Sequence, residues 1–121
     1  NGIPYRGEKD GVRFVFEDGS RRWETVCRYA PQTVMIYGVY PFPVADKGRA
    51  LHQANQVNAT LTRGGLFLSG ERIVLRVSAD LFDAYSAQES ITRALEYSAG
   101  VMKHFWTQME ACAKQSGVFQ H

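Results

Sequence analysis

The chain is short of cysteine and carries no concentration of charge, and both shortages narrow what it can be. Its two cysteines, Cys27 and Cys112, lie far apart among 121 residues in no CxxC or Cys/His grouping. That excludes a disulfide framework or zinc finger and leaves two free, buried thiols as the expectation. Lys and Arg total 14 against 12 Asp and Glu, a formal charge of +2, too small a bias to imply nucleic acid or an anionic membrane as partner. No apolar run approaches the ~20 residues of a membrane-spanning helix. His52, His104 and His121 have no HxxxH partner and no acidic cluster at zinc spacing. There is no G-x-S-x-G elbow, GxGxxG or P-loop, and nothing pairs either cysteine with a histidine. Neither a metal, a cofactor nor nucleophilic catalysis is expected.

What is present is an ordinary globular composition, 45% hydrophobic, enough for a single domain over residues 1–121 with an unaided core. The chain opens on Asn1 and not Met, so removed or omitted upstream sequence is expected, which leaves a signal peptide open. The cytoplasm is the expected compartment.

Turn signals divide the sequence. After the entry "NGIPYRGEKDG", the stretch "VRFVFEDGSRRWETVCRYA" holds two extended runs around Asp18-Gly19, a strong hairpin signal. Alternation puts Phe14 and Phe16 on one face and Arg13, Val15 and Glu17 on the other. Beyond Pro31, "QTVMIYGVYPFP" is apolar on both faces, with Val34 and Ile36 opposite Met35, Tyr37 and Val39. It reads as a central strand ended by Pro41 and Pro43.

From about Asp46 to Thr62, Leu51, Ala54, Asn58 and Leu61 recur at helical spacing. Arg63 then falls in the last turn, and Gly64-Gly65 acts as the stop. "GLFLSGERIVLRVSA" forms a second hairpin around Ser69-Gly70-Glu71. Ser86 and Glu89 match a capping box, and an apolar stripe continues through Ile91, Leu95, Ala99, Met102, Phe105, Trp106 and Met109. A helix from Ala87 to Ser116 is about 45 Å long, so it is expected either to bend near Gly100 or to reach another chain.

The fold class is therefore α+β: an antiparallel five-stranded sheet with helices on one face, in the order β-β-β-α-β-β-α. Within it, "ANQVNATLTRGGLFLSGERIVLRVS" joins helix-borne asparagines to a glycine turn, an apolar strand and an Arg-bearing strand. In this the chain resembles the YbjN family of bacterial domains, from "GIPY" through the last helix. The resemblance implies a type III secretion chaperone-like fold and no catalytic signature. Such a fold usually has a leading helix, here absent or upstream, which predicts an apolar groove for a neighbouring subunit.

A buried Asn58 must find hydrogen-bond partners, and a tie to a nearby loop or strand backbone is the first expectation. Arg13, Arg28, Arg72 and Arg76 line up on the outer sheet face beside Tyr37, diluted by Glu17 and Glu24, so nucleic acid is not expected there. The leading expectation is a non-enzymatic protein-interaction, chaperone-like or regulatory domain that binds a protein partner or forms a homodimer. The alternative is a small-molecule-binding module whose pocket lies between the Asn-bearing helix and the sheet. The candidate binding residues are Asn55, Asn58, Arg63, Tyr37 and Arg76.

Overall fold

The computed structural model describes residues 5–8, 11–81 and 84–113. Its frame is an antiparallel sheet built on short turns. A four-residue strand β1 (Tyr5–Glu8) pairs with β2 (Gly11–Asp18), and β2 pairs with β3 (Arg21–Ala30) across Gly19-Ser20. The Asp18-Gly19 signal thus makes the expected hairpin, with Gly19 at a φ of 64°. Pro31-Gln32 turns the chain into β4 (Thr33–Val39). There Gln32 takes a φ of 70°, a left-handed value that favours glycine or asparagine.

The chain then crosses through α1 (Lys47–Asn58) to the hairpin of β5 (Gly65–Ser69) and β6 (Arg72–Asp80). β6 pairs with β4, so the spatial order is β1-β2-β3-β4-β6-β5. The five expected strands form in the expected order around the crossover helix, and β1 adds a short sixth at one edge.

The helices pack on one face, α1 against β5 and the last long helix against β6 and β4. That face carries the core: Trp23, Cys27, Val34, Ile36, Leu66, Ile73, Leu75 and Val77 are all buried, as strict alternation along each strand requires. Gly38 leaves room on β4 for Met102, whose Sδ would stand 3.1 Å from a Cβ placed there.

Several helical details differ from the sequence reading. α1 begins as expected, with Asp46 Oδ1 accepting from the Arg49 N–H at 3.1 Å. Its buried stripe is Ala50, Ala54 and Val57, rotated by about one residue from the expected one, and Leu51 is 46% exposed. Small alanines let the helix axis approach the sheet, which a stripe of leucines would hold away. α1 also ends at Asn58 and not near Thr62. Thr60 Oγ1 donates to the Val57 carbonyl at 2.8 Å, diverting an acceptor the next turn would need.

Arg63 therefore lies outside the helix, and Gly64-Gly65 does not stop it. Gly64 serves a tighter purpose. Its φ is 76°, and a Cβ there would lie 2.5 Å from the Arg76 carbonyl oxygen, so glycine is what lets β5 begin directly against β6.

The expected long last helix is two helices, α2 (Ala84–His104) and α3 (Trp106–Glu110). α2 passes through Gly100 and breaks at Phe105 (φ −100°, ψ 10°). The buried Tyr40 hydroxyl donates to the Met102 carbonyl at 3.0 Å, the acceptor that residue 106 would use in an unbroken helix. Trp106 instead turns inward, its ring 5.5 Å from both Tyr40 and Phe42 and 5.8 Å from Trp23. Ser86 and Glu89 sit inside α2, which starts at Ala84, and so do not form a terminal capping box. The part of the expected helix from residue 114 to 116 lies outside the described residues. Among the described residues no helix is long and apolar enough to cross a membrane.

Candidate functional site

Alternation that buries one face of each strand commits the other residues to the opposite face, and among the described residues no helix packs there. The register sets out this outer face in rows. One row runs Arg28, Met35, Ser78; the next Val26, Tyr37, Arg76, Gly65; the next Glu24, Val39, Val74, Phe67. Val26 and Val74 are buried even so.

Between these side chains lies an open dish. One concavity of about 370 Å³ is lined by Val26, Arg28, Tyr37, Val39, Phe67 and Val74, among others. A second, of about 500 Å³, lies beside it at Met35, Gly64, Gly65, Arg76 and Ser78.

The charges on this face sort into two kinds. Arg13 reaches Glu24 at 2.9 Å and Arg22 reaches Glu17 at 2.9 Å. Such part-exposed pairs contribute only about 0–1 kcal/mol each, but they cancel both glutamates within the face. Arg72 donates to the Pro41 carbonyl at 3.1 Å. Arg76 lies over the Phe67 ring at 5.9 Å, a cation–π arrangement that holds the guanidinium on the dish without neutralising it. Arg28 is exposed at the end of its row, and among the described residues neither it nor Arg76 forms an ion pair.

The five sequence candidates divide between the two sides of the sheet. Tyr37 and Arg76 are direct cross-strand neighbours in the dish. Asn55, Asn58 and Arg63 lie on the helical side or its edge. Asn58 Nδ2 donates to the Leu66 carbonyl at 3.1 Å, and its Oδ1 accepts from the Leu66 N–H at 2.7 Å. Both ends of the amide are thus used by one residue of edge strand β5, the strand-backbone tie expected for a buried amide.

Arg63 Nη2 donates to the Ser78 carbonyl at 2.7 Å. The Tyr97 hydroxyl donates to the Arg63 carbonyl at 2.8 Å and accepts from its N–H at 3.3 Å. These contacts fasten the loop after α1 to β6 and α2. Asn55 is exposed on α1. Beside this latch an open groove of about 570 Å³ runs between Thr60, Leu61 and Tyr97, Val101, His104 and Phe105.

Phe67, 37% exposed, is the dish residue that sequence reasoning missed. The signal was available, since Leu66 and Leu68 turned inward leave Phe67 turned outward.

The two cysteine thiols are withdrawn from solvent. Both thiols are free and buried, and burial pushes the Cys27 pKa up to about 11, which keeps it protonated and a poor nucleophile at neutral pH. Among the described residues, the buried side-chain polar atoms Trp23 Nε1, Thr25 Oγ1 and Ser98 Oγ have no hydrogen-bond partner, and none of them lines the described concavities. Among the described residues no group of three or more His, Cys, Asp or Glu side chains is placed to hold a metal ion. Compared with protein-family models and with curated proteins, the chain matches none.

Proposed function

We propose that the chain is a cytoplasmic, non-enzymatic protein-interaction domain, chaperone-like or regulatory in character, that docks a partner on the outer face of its sheet. The observation that carries this reading is the dish formed by half-buried Tyr37 and Val39 and exposed Phe67 beside the buried Val26 and Val74, on a face where no helix packs among the described residues and which arginines rim. Contiguous exposed apolar surface rimmed by polar groups marks interaction sites, and an apolar centre with a polar rim is the usual anatomy of a docking patch. The resemblance of residues 54–78 to YbjN domains supports the same reading. Either a second copy of the chain or a different protein can occupy such a face.

Photo-crosslinking in the native host tests the assignment. A benzophenone amino acid replacing Phe67 or Val39 is expected to give discrete protein adducts, and the same group replacing Leu51 on the helical side is expected to give none. The adduct's mass separates a second copy from another protein. Equal yields from all three positions, or no adduct from Phe67 and Val39, would overturn the reading.

A further inference from the structure

The charge pattern of the dish narrows what it recognises. Resting on the docking-face reading, we infer that the outer face docks an acidic segment of a different protein, one that sets carboxylates on either side of an apolar or aromatic residue. Glu17 and Glu24 are already held by Arg22 and Arg13, whereas Arg28 and Arg76 enter no ion pair among the described residues. These two arginines stand on β3 and β6 with β4 between them, in adjacent rows. Strand spacing and rise put their Cα atoms about 12 Å apart, and the residues lying between them are Met35 and Tyr37. In an extended segment, two carboxylates about four residues apart cover that span on one face; in a helix they stand about two turns apart.

Three alternatives fit less well. A second copy docking through a two-fold axis sets the patch against itself, an arginine-rich face against an arginine-rich face. The one further carboxylate described on this face, Asp80, lies at the far end of β6 opposite Thr33. Strand addition at the β5 edge is obstructed, because Asn58 already holds the N–H and C=O of Leu66, so a partner lies across the face and not along that edge. Nucleic acid demands a run of cations to follow a phosphate backbone, and of the three arginines on this face without an ion pair among the described residues, Arg72 is turned to the Pro41 carbonyl and only Arg28 and Arg76 flank the apolar centre.

The test pans a random linear peptide library on the whole chain and measures the recovered peptides by fluorescence anisotropy. Recovered peptides are expected to be rich in Asp and Glu interleaved with aromatic or aliphatic residues. Their affinity should fall about tenfold with R28Q/R76Q and largely recover with R28K/R76K. Panning on R28E/R76E, checked by circular dichroism to be folded, should reverse the preference towards Lys and Arg.

Peptides without acidic enrichment that still lose binding on Phe67→Ser would overturn the acidic partner and leave the docking face standing. No recovered peptide, together with no crosslink at Phe67, would overturn both. Oligothymidylate bound more tightly than any peptide and released by R28Q/R76Q would reassign the face to single-stranded nucleic acid and overturn the proposal.

Discussion

Asn58 offers the sharpest test of the reasoning, because one side chain joins the crossover helix to an edge strand by two hydrogen bonds. Its amide receives the Leu66 N–H at 2.7 Å and donates to the Leu66 carbonyl at 3.1 Å, and Leu66 itself is buried. Asn58→Leu keeps the side-chain size and strands both backbone groups. Each unsatisfied buried group costs about 1–3 kcal/mol, and partial access of water at this half-buried site lowers the sum to about 2–3 kcal/mol. In urea titration, with a slope of about 1.5 kcal/mol per molar, that moves the midpoint down by roughly 1.5–2 M.

Asn58→Asp adds a pH signature. A carboxylate still accepts from the Leu66 N–H but faces the Leu66 carbonyl, so the folded state favours the protonated acid, and the residue's folded pKa rises above the ~3.9 of an unfolded aspartate. The stability that protonation contributes is fully present below that unfolded value and is lost as pH rises through the folded pKa. Relative to the parent, the Asp variant is therefore least impaired near pH 3 and most impaired at pH 7. The Leu variant should also aggregate on concentration, since the freed β5 edge becomes a template for pairing. A Leu variant within about 0.5 kcal/mol of the parent, or an Asp deficit flat with pH, would refute the account.

Three further outcomes follow from local geometry. Gln32→Gly relieves a left-handed φ of 70° and should raise stability by roughly 0.5–1 kcal/mol despite glycine's larger entropy loss, read as a higher thermal midpoint; a lower midpoint would refute it. Tyr40→Phe removes the buried bond to the Met102 carbonyl and should cost about 1–3 kcal/mol, with a change in near-ultraviolet dichroism as the Trp106 cluster loosens; an unchanged denaturation midpoint would count against the explanation of the helix break. Cys27, pushed up to about 11 by burial, favours the protonated thiol in the folded chain. Its contribution is intact below the unfolded value near 9 and is lost as pH rises from there through 11. A thiol reagent at pH 8 should leave Cys27 unmodified in the native protein and label it in denaturant.

Much of the sheet was legible because its information is local. Period-2 alternation placed Phe14 and Phe16 opposite Arg13, Val15 and Glu17, and put both glutamates on the arginine-bearing face, where they now pair with Arg13 and Arg22. The helices were less legible because their details depend on partners distant in sequence. A leucine-weighted stripe chose Leu51 over Ala50, although an alanine seam allows the closer approach. Nothing within residues 87–116 announces a break at Phe105, because its cause is a hydroxyl on Tyr40, 62 residues before the Met102 carbonyl it holds. The glycine pair looked like a helix stop until β6 supplied the Arg76 carbonyl that makes Gly64 necessary.

The same division between local and distant information governs the candidate site. Tyr37 and Arg76 could each be put on the outer face by alternation, but their adjacency required the pairing of β4 with β6 across an intervening helix. By residue type alone the face is of mixed sign. Only the cross-strand geometry shows that both glutamates are already taken and that the remaining ion-pairing capacity lies chiefly in Arg28 and Arg76, about 12 Å apart across Met35 and Tyr37. A net charge of +2 over the whole chain thus understates the local preference of the dish. A binding assay whose salt dependence follows those two arginines, and is indifferent to Arg13 and Arg22, is the physical signature that this preference is real.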